Sequence, residues 1–353
     1  MSDVATWKLR GPVRTLRSET AEWDRAREAW KAPRFFWAVE FQADGKIGAQ
    51  DSYDADGTIF RTTFRYDNRG RLVEAQSGRA SGPFSKSIYA YDEAGRHLRT
   101  VNVAADGGSV ESESCRYDST GRKTKVTFLD AQPIRATAMH LNTEETDYSV
   151  SRFVGSDAKT MTTTYGELDR PEEVLMHDAN HMMAVRITFT RDREGRALSE
   201  VVQFGGQFPM PEMASELGKL SADERAAMAA LLAHAFDAKT LHSVSYAYDR
   251  QGRVLERTES MGTLSENRTT YRYDDRDNPI EQTGEERNHE LGMNADGTPQ
   301  RRNESTRRHD VRFEYQYDRE GNWTERIASN RMEPDTIFQR STIERREITY
   351  YAR

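Results

Sequence analysis

The feature that most constrains the fold of this chain is a short motif that recurs along it. In its clearest form the motif is an aromatic residue, any residue, a tyrosine, an aspartate, two variable residues and a glycine, as in FRYDNRG at 64–70. The tyrosine position recurs every 25 or 26 residues at 41, 66, 91 and 117, then at 165 and 191, and again at 248 and 273. A further copy surrounds Tyr317. Such a repeat means that one small supersecondary unit builds most of the molecule.

The chemistry of the motif predicts a β-hairpin. Phe64 and Tyr66 point to the same face of a strand, because side chains alternate along it. Asp67 can accept the backbone N–H groups of a turn, and Gly70 supplies the positive φ that a tight turn requires. A secondary turn such as Tyr53–Thr58 lies between copies. Each period therefore predicts two short antiparallel strands.

These copies resemble the tyrosine-aspartate (YD) repeats of rearrangement-hotspot (RHS) proteins and their smaller bacterial relatives. The likeness covers most of the chain, including its opening at Leu9–Thr20 and its ending at Gly321–Ile327 and Glu344–Tyr351. The resemblance implies an antiparallel sheet of hairpin repeats, which in the large relatives spirals into a hollow shell, sometimes around a toxin. This chain is far shorter, and it has neither the Asp-Pro dipeptide of self-cleaving members nor an effector after its last repeat. The implication is therefore the sheet of a small member without a toxin domain.

One stretch interrupts the period and predicts a helical insertion. Ser221 and Glu224 have the spacing of a capping box before an apolar helical stripe, and Met213 and Leu217 lie one helical turn apart. We therefore predict a mainly β fold, in which antiparallel hairpin repeats form a curled, partly closed sheet with a small α-helical insertion. The predicted divisions are an N-terminal cap with the first strands at 1–38, sheet at 39–209, the insertion at 210–240, sheet at 241–328 and closing strands at 329–353. Tryptophans 7, 23, 30 and 37 are expected to cover the first strand edge.

Composition narrows the class of protein. The 353 residues carry 51 Lys and Arg against 58 Asp and Glu, and the net charge of −7 removes the simple electrostatic argument for nucleic acid. No apolar run approaches the ~20 residues of a membrane-spanning helix, and the first 15 residues lack the apolar core of a secretory signal. The single cysteine excludes an internal disulfide. We expect a cytoplasmic protein without a transmembrane segment, and export by a nonstandard route stays open.

Few residues offer catalytic or metal-binding chemistry. His177, Asp178 and His181 could contact a metal, but the segment occupies the place of a hairpin tip, which favours an Asp-Ala-Asn turn. Cys115 stands in the aromatic column of the repeat, which favours a small buried side chain over a nucleophile. No nucleotide, phosphate-loop or Ser/His/Asp motif has a recognisable context. The sequence predicts no catalytic residue, no cofactor and no enzymatic activity.

Pairs of consecutive arginines are expected on the solvated surface of the sheet. Arg345 and Arg346 stand among glutamates, which favours cross-strand ion pairs on a solvated sheet face over a phosphate site. A long return strand predicts a protruding, arginine-rich hairpin at Asn288–Asp310.

The sequence contains repeats but no recognisable set of catalytic residues. We therefore predict a non-enzymatic binding or scaffold protein that presents a sheet surface and the helical insert to a protein partner. Two alternatives stay open. One is a carbohydrate-active hydrolase or glycan-binding protein that uses carboxylates in a cavity of the sheet. The other, from the resemblance alone, is a chaperone or immunity-type partner of a toxin. The predicted partner contacts are Met213, Leu217, Arg301, Arg302, Arg307 and Arg308.

Overall fold

The computed structural model describes residues 3–54, 56–79, 82–129, 160–166, 168, 170–177, 183–204, 240–293 and 299–352. Across these residues the regular structure is antiparallel β, apart from one short helix, α1 (Asp3–Thr6). No helix in these ranges is both long and apolar enough to cross a membrane. The chain divides into two compact units, which are Met1–Glu111 with Tyr273–Gln282 and His309–Arg353, and Ser112–Arg272 with Thr283–Arg308.

Within the described ranges, twenty-one strands form the sheet. Strands of the first unit are β1 (Val13–Asp24), β2 (Ala29–Trp30), β3 (Arg34–Phe41), β4 (Ile47–Tyr53), β5 (Ile59–Tyr66), β6 (Leu72–Arg79), β7 (Phe84–Tyr91), β8 (His97–Val103), β20 (Trp323–Met332) and β21 (Gln339–Tyr350). Strands of the second unit are β10 (Lys123–Leu129), β11 (Thr160–Tyr165), β12 (Pro171–His177), β13 (Met183–Arg191), β14 (Ala197–Phe204), β15 (Thr240–Tyr248) and β16 (Val254–Met261). Four strands run through a unit boundary, namely β9 (Ser109–Tyr117), β17 (Ser265–Tyr273), β18 (Pro279–Met293) and β19 (Pro299–Tyr317).

The first strand pairs with the last, which corrects the predicted fold class. β1 is antiparallel to β21 from Val13↔Tyr350 to Glu22↔Thr342. On its other side β1 pairs with β3. The expectation of a curled, partly closed sheet is therefore wrong, because this pairing closes the ladder of strands. β1 has a neighbour on both sides. The expected N-terminal cap with its tryptophans stays a prediction. The predicted helical insertion at 210–240 lies outside the described residues, except for Thr240, which begins β15.

In the copies that carry the aspartate of the motif, this residue holds the turn, as the motif predicts. The Oδ1 atom of Asp67 accepts the backbone N–H groups of Arg69 and Arg71, both at 2.9 Å, and its Oδ2 accepts Nε of Arg71 at 2.7 Å. Gly70 donates its N–H to the carbonyl of Asp67 and has a φ of +75°. Glycine is needed there because an L-residue in this region costs ~1–2 kcal/mol. The bonds from the aspartate to the residue after the glycine recur at Asp92, Asp118, Asp192 and Asp249.

In the copies at Tyr66, Tyr91 and Tyr248, the tyrosine hydroxyl binds a carbonyl of an earlier copy. Tyr91 donates its hydroxyl to the carbonyl of Leu72 at 2.7 Å. Arg71, already bound to Asp67, lies over the Tyr91 ring with its guanidinium carbon 4.7 Å from the centroid. One arginine thus neutralises the turn of its own copy and makes a cation–π contact with the next. In the second unit Tyr248 makes equivalent contacts with Ala197, through its hydroxyl, and with Arg196, through its ring.

Each unit has its own buried row of side chains. In the first unit Leu16, Val39 and Phe41 form a core with the helix residue Val4, and Trp37 packs against it. In the second unit, directly opposed residues on five successive strands are buried at 3% relative exposure or less. This row is Val126, Thr163, Val174, Ile187 and Val202.

Candidate functional site

The residues singled out as a metal site or as partner contacts fall mostly outside the described side chains. His177 ends β12 and is half-buried, whereas Asp178 and His181 lie outside the described residues. Met213 and Leu217 also lie outside them. Arg301 and Arg302 belong to β19, but their side chains are not among those described. Among the predicted partner contacts, only the side chains of Arg307 and Arg308 can be placed, and both are exposed on β19.

Exposed apolar side chains gather at one end of the first unit. Phe36 is 62% exposed and Phe35 43%, both in β3. Met332, at the end of β20, is 59% exposed, and Ile337, in the β20–β21 connection, is 73% exposed. We call these four residues the apolar rim. Strand pairing places Phe35 opposite Glu19 of β1, whereas Ile337 lies seven residues before Glu344, which is opposite Thr20, so the rim extends along this end of the unit. Large apolar side chains that are exposed outside the core mark candidate interaction sites.

Arginine and tryptophan side chains border the apolar rim. Trp23 of β1 packs edge-on against Trp30 with ring centroids 4.9 Å apart, and Arg340 lies 5.5 Å from the Trp23 ring. A shallow open groove is formed here by Trp23, Arg25, Glu28, Gln339 and Arg340. Tryptophan, methionine and arginine are the residue types enriched in protein–protein interfaces. This end was not predicted from the sequence. The signal that could have found it is the pair of consecutive aromatics, Phe35 and Phe36, which departs from the alternation of a strand with one buried face.

A buried cluster of titratable groups lies on the core face of the second unit. Glu259 of β16 accepts a hydrogen bond from Nε2 of His242 at 2.6 Å and another from Arg257 at 2.7 Å. On the neighbouring strands, the Tyr246 hydroxyl donates to Glu200 at 3.1 Å. Glu200 and His242 are 0% and 1% exposed. The cluster escaped prediction, because Glu200 and His242 do not belong to the repeat motif and lie on different strands.

The electrostatics of this cluster keep one carboxylate charged. Hydrogen bonding from His242 lowers the pKa of Glu259 to about 2, against the opposing effect of burial, and Arg257 acts in the same direction. Burial raises the pKa of Tyr246, and the charge of Glu200 adds to this effect. Glu259 is thus an ionised acceptor for two donors, which suits a structural ion pair. A general acid would need the opposite shift of its pKa.

Arg345 and Arg346 are engaged within the first unit, as the ion-pair interpretation predicts. Arg345 binds Glu325 through Nε at 3.1 Å. Arg346 lies over Trp323, with its guanidinium carbon 3.4 Å from the ring centroid. Burial lowers the pKa of Arg346 to about 10, although Glu344 opposes that effect. Other arginines of the sheet pair across strands in the same way, including Arg61, Arg186, Arg268, Arg312, Arg326 and Arg331.

Arg307 and Arg308 differ from those arginines. Both are exposed, and neither makes an ion pair with any side chain that the structure describes. Their strand, β19, is 19 residues long, and its pairing with β20 begins only at His309. On β18, the backbone N–H of His289 donates to Leu264 in the β16–β17 turn, and β18 continues to Met293. The β18–β19 hairpin therefore extends past the neighbouring pairings, where the sequence predicts a long arginine-rich hairpin.

Comparison with known proteins gives no family assignment. No protein-family model matches the chain, and no curated protein matches it. Among solved structures, a porin-like protein from Bacteroides uniformis is 10% identical over 96% of this chain and 99% of that chain, with a TM-score of 0.35. A porin-like protein from Bacteroides vulgatus is 12% identical over 94% and 97% of the two chains, with a TM-score of 0.18. The TcdB2-TccC3-TEV structure is 12% identical over 92% of this chain and 22% of that chain, with a TM-score of 0.18.

These matches correct several expectations. The TcdB2-TccC3 match supports the YD-repeat resemblance only in part, because it is too weak to establish membership. The porin-like matches contradict a cytoplasmic YD-repeat scaffold and the expected absence of a transmembrane segment, so these expectations are wrong and are not carried further. Because every TM-score is below 0.5, the matches do not assign a location or an activity to this protein.

Proposed function

We propose that this protein is a non-enzymatic binding protein that captures a protein partner through the apolar rim of its first unit. The observation that carries the proposal is the exposure of Phe36, Ile337 and Met332, at 62%, 73% and 59%. Burying a side chain of this size contributes ~1.5–3 kcal/mol, so leaving several in water is costly unless a partner covers them.

The polar border of the rim suits a protein partner. Arg340 and the tryptophan pair Trp23 and Trp30 supply groups that can both pack and donate hydrogen bonds. An interface of this kind has an apolar centre surrounded by a polar edge, and a few central residues carry most of the binding energy. Phe36 and Ile337 are the expected central residues.

The test replaces the central residues of the rim. The double variant Phe36→Ser with Ile337→Ser is compared with Leu198→Ser and Leu255→Ser, whose leucines are 40% and 48% exposed in the second unit. Each protein carries a photo-cross-linker at Gln339, which borders the groove. After cross-linking in the source cells, the captured proteins are identified by mass spectrometry. We expect a captured protein with the native chain and the control, and a loss of at least about tenfold with the rim variant. Equal capture by the rim variant, at unchanged thermal stability, overturns the proposal.

A further inference from the structure

The β18–β19 hairpin presents a strand edge that no described strand covers. One side of β19 pairs with β18. On the other side, the pairing with β20 runs from His309 to Tyr317, which leaves residues 299–308 without a described partner strand. Alternate residues of an antiparallel strand direct their N–H and C=O groups to that open side. An edge of this kind is a template for an additional strand.

The charge of this segment indicates what can pair with it. Residues 299–308, PQRRNESTRR, contain four arginines and one glutamate, in a chain whose net charge is −7. Arg307 and Arg308 are exposed and adjacent in the strand, so they point to opposite faces. An added strand with carboxylates on both faces would meet an arginine on each. A second copy of the same segment would bring like charges into opposition, which is destabilising.

We propose that the outer edge of β19 at residues 299–308 binds an acidic, extended peptide as an additional antiparallel strand. The backbone supplies the affinity through ladder hydrogen bonds, and Arg307 and Arg308 select acidic side chains. The proposal rests on the proposed binding function in its general form, but it concerns a different surface from the apolar rim. It adds the chemical class of a ligand to what the rim alone implies.

The experiment uses a defined probe and the purified full chain. The probe is a fluorescent ten-residue peptide of alternating threonine and glutamate, and binding is measured by anisotropy. The arm variant, Arg307→Glu with Arg308→Glu, is compared with Arg193→Glu and Arg250→Glu, which make the same charge change at exposed turn residues. We expect the native chain and the control to bind alike and the arm variant to bind roughly tenfold more weakly, because each exposed charge pair contributes under ~1 kcal/mol.

Two further probes separate strand addition from simple charge attraction. The same peptide with every second amide N-methylated keeps its charge but loses one edge of hydrogen-bond donors, and we expect its binding to be lost. Equal binding of the methylated peptide overturns strand addition. Tighter binding of a ten-residue oligothymidylate than of the peptide overturns the peptide assignment in favour of nucleic acid.

The apolar rim provides the remaining control. The Phe36→Ser, Ile337→Ser variant is expected to bind the acidic peptide normally, because its substitutions lie in the first unit. Loss of peptide binding in that variant overturns the placement of the peptide on β19. Unchanged partner capture by this variant, with peptide binding intact, refutes the rim as the contact site and leaves this inference standing.

Discussion

Removing the charge of Glu259 tests whether the buried cluster of the second unit stabilises the fold. Its carboxylate binds His242 and Arg257, and its side chain is only 13% exposed. The pKa of this group falls from 4.5 to about 2 on folding. At 1.36 kcal/mol per unit of pKa, that shift corresponds to about 3 kcal/mol of stability at neutral pH. We therefore expect Glu259→Gln to lower the free energy of unfolding by about 3 kcal/mol.

The pH dependence of that contribution has a definite sign. The pKa is depressed in the folded protein, so the stabilisation is complete above about pH 4.5 and is lost as the pH falls towards 2. The native chain should thus lose stability over this window more steeply than Glu259→Gln, which has no proton to take up at this position.

The matched control is on the same strand. Glu256 pairs with Arg268 at 2.6 Å, but the two side chains are 29% and 56% exposed. Glu256→Gln should cost only ~0–1 kcal/mol, because solvent screens an exposed pair. Urea unfolding followed by circular dichroism gives both free energies, and hydrogen exchange of β15–β17 gives the local effect. If Glu259→Gln costs no more than Glu256→Gln, or leaves the pH slope unchanged, the cluster does not stabilise the fold.

Three further predictions concern the repeat and its cysteine. Gly252→Ala should lower the free energy of unfolding by ~1–2 kcal/mol, because φ is +82° at this residue. Gly48→Ala, in an extended strand, should raise it by ~0.4–1 kcal/mol. Thermal unfolding of both variants measures these changes, and equal effects would contradict the prediction. Tyr248→Phe should lower the free energy of unfolding by about 0.5–1.5 kcal/mol, because the Tyr248 hydroxyl donates to the carbonyl of Ala197. Tyr53→Phe should leave it almost unchanged, because the Tyr53 hydroxyl has no hydrogen bond among the described residues. Urea unfolding measures that difference. Burial, with a smaller effect of Glu113, raises the pKa of the Cys115 thiol to about 12, so Ellman's reagent at pH 8 should react slowly with the folded chain and rapidly in urea. Rapid reaction in the folded state would refute the burial.

The positions of the hairpins could be predicted from the sequence, because their cause is local. An aspartate and a glycine three residues apart are sufficient to specify the turn, as at Asp67 and Gly70. The aromatic alternation before the turn marks the buried face in the same way. Cys115 is buried at the position where the repeat has an aromatic residue, as predicted.

The candidate sites could not be predicted in this way, because they depend on strands far apart in the chain. Glu200 and Tyr246 meet across 46 residues, and the apolar rim combines β3 with the β20–β21 connection. No local pattern encodes those distances. The arginine-rich hairpin is the exception, since its length and charge are both visible in the sequence.

By itself the sequence determined the repeating unit, the turn chemistry and the choice of face within each strand, since each depends on residues within one period. Only the tertiary structure decided that β1 lies between β3 and β21, and hence that the ladder is closed. A hairpin fixes its own two strands, but the pairing of strands over 300 residues apart depends on the summed twist and register of every hairpin between them. That sum is a property of the whole sheet and of no single repeat.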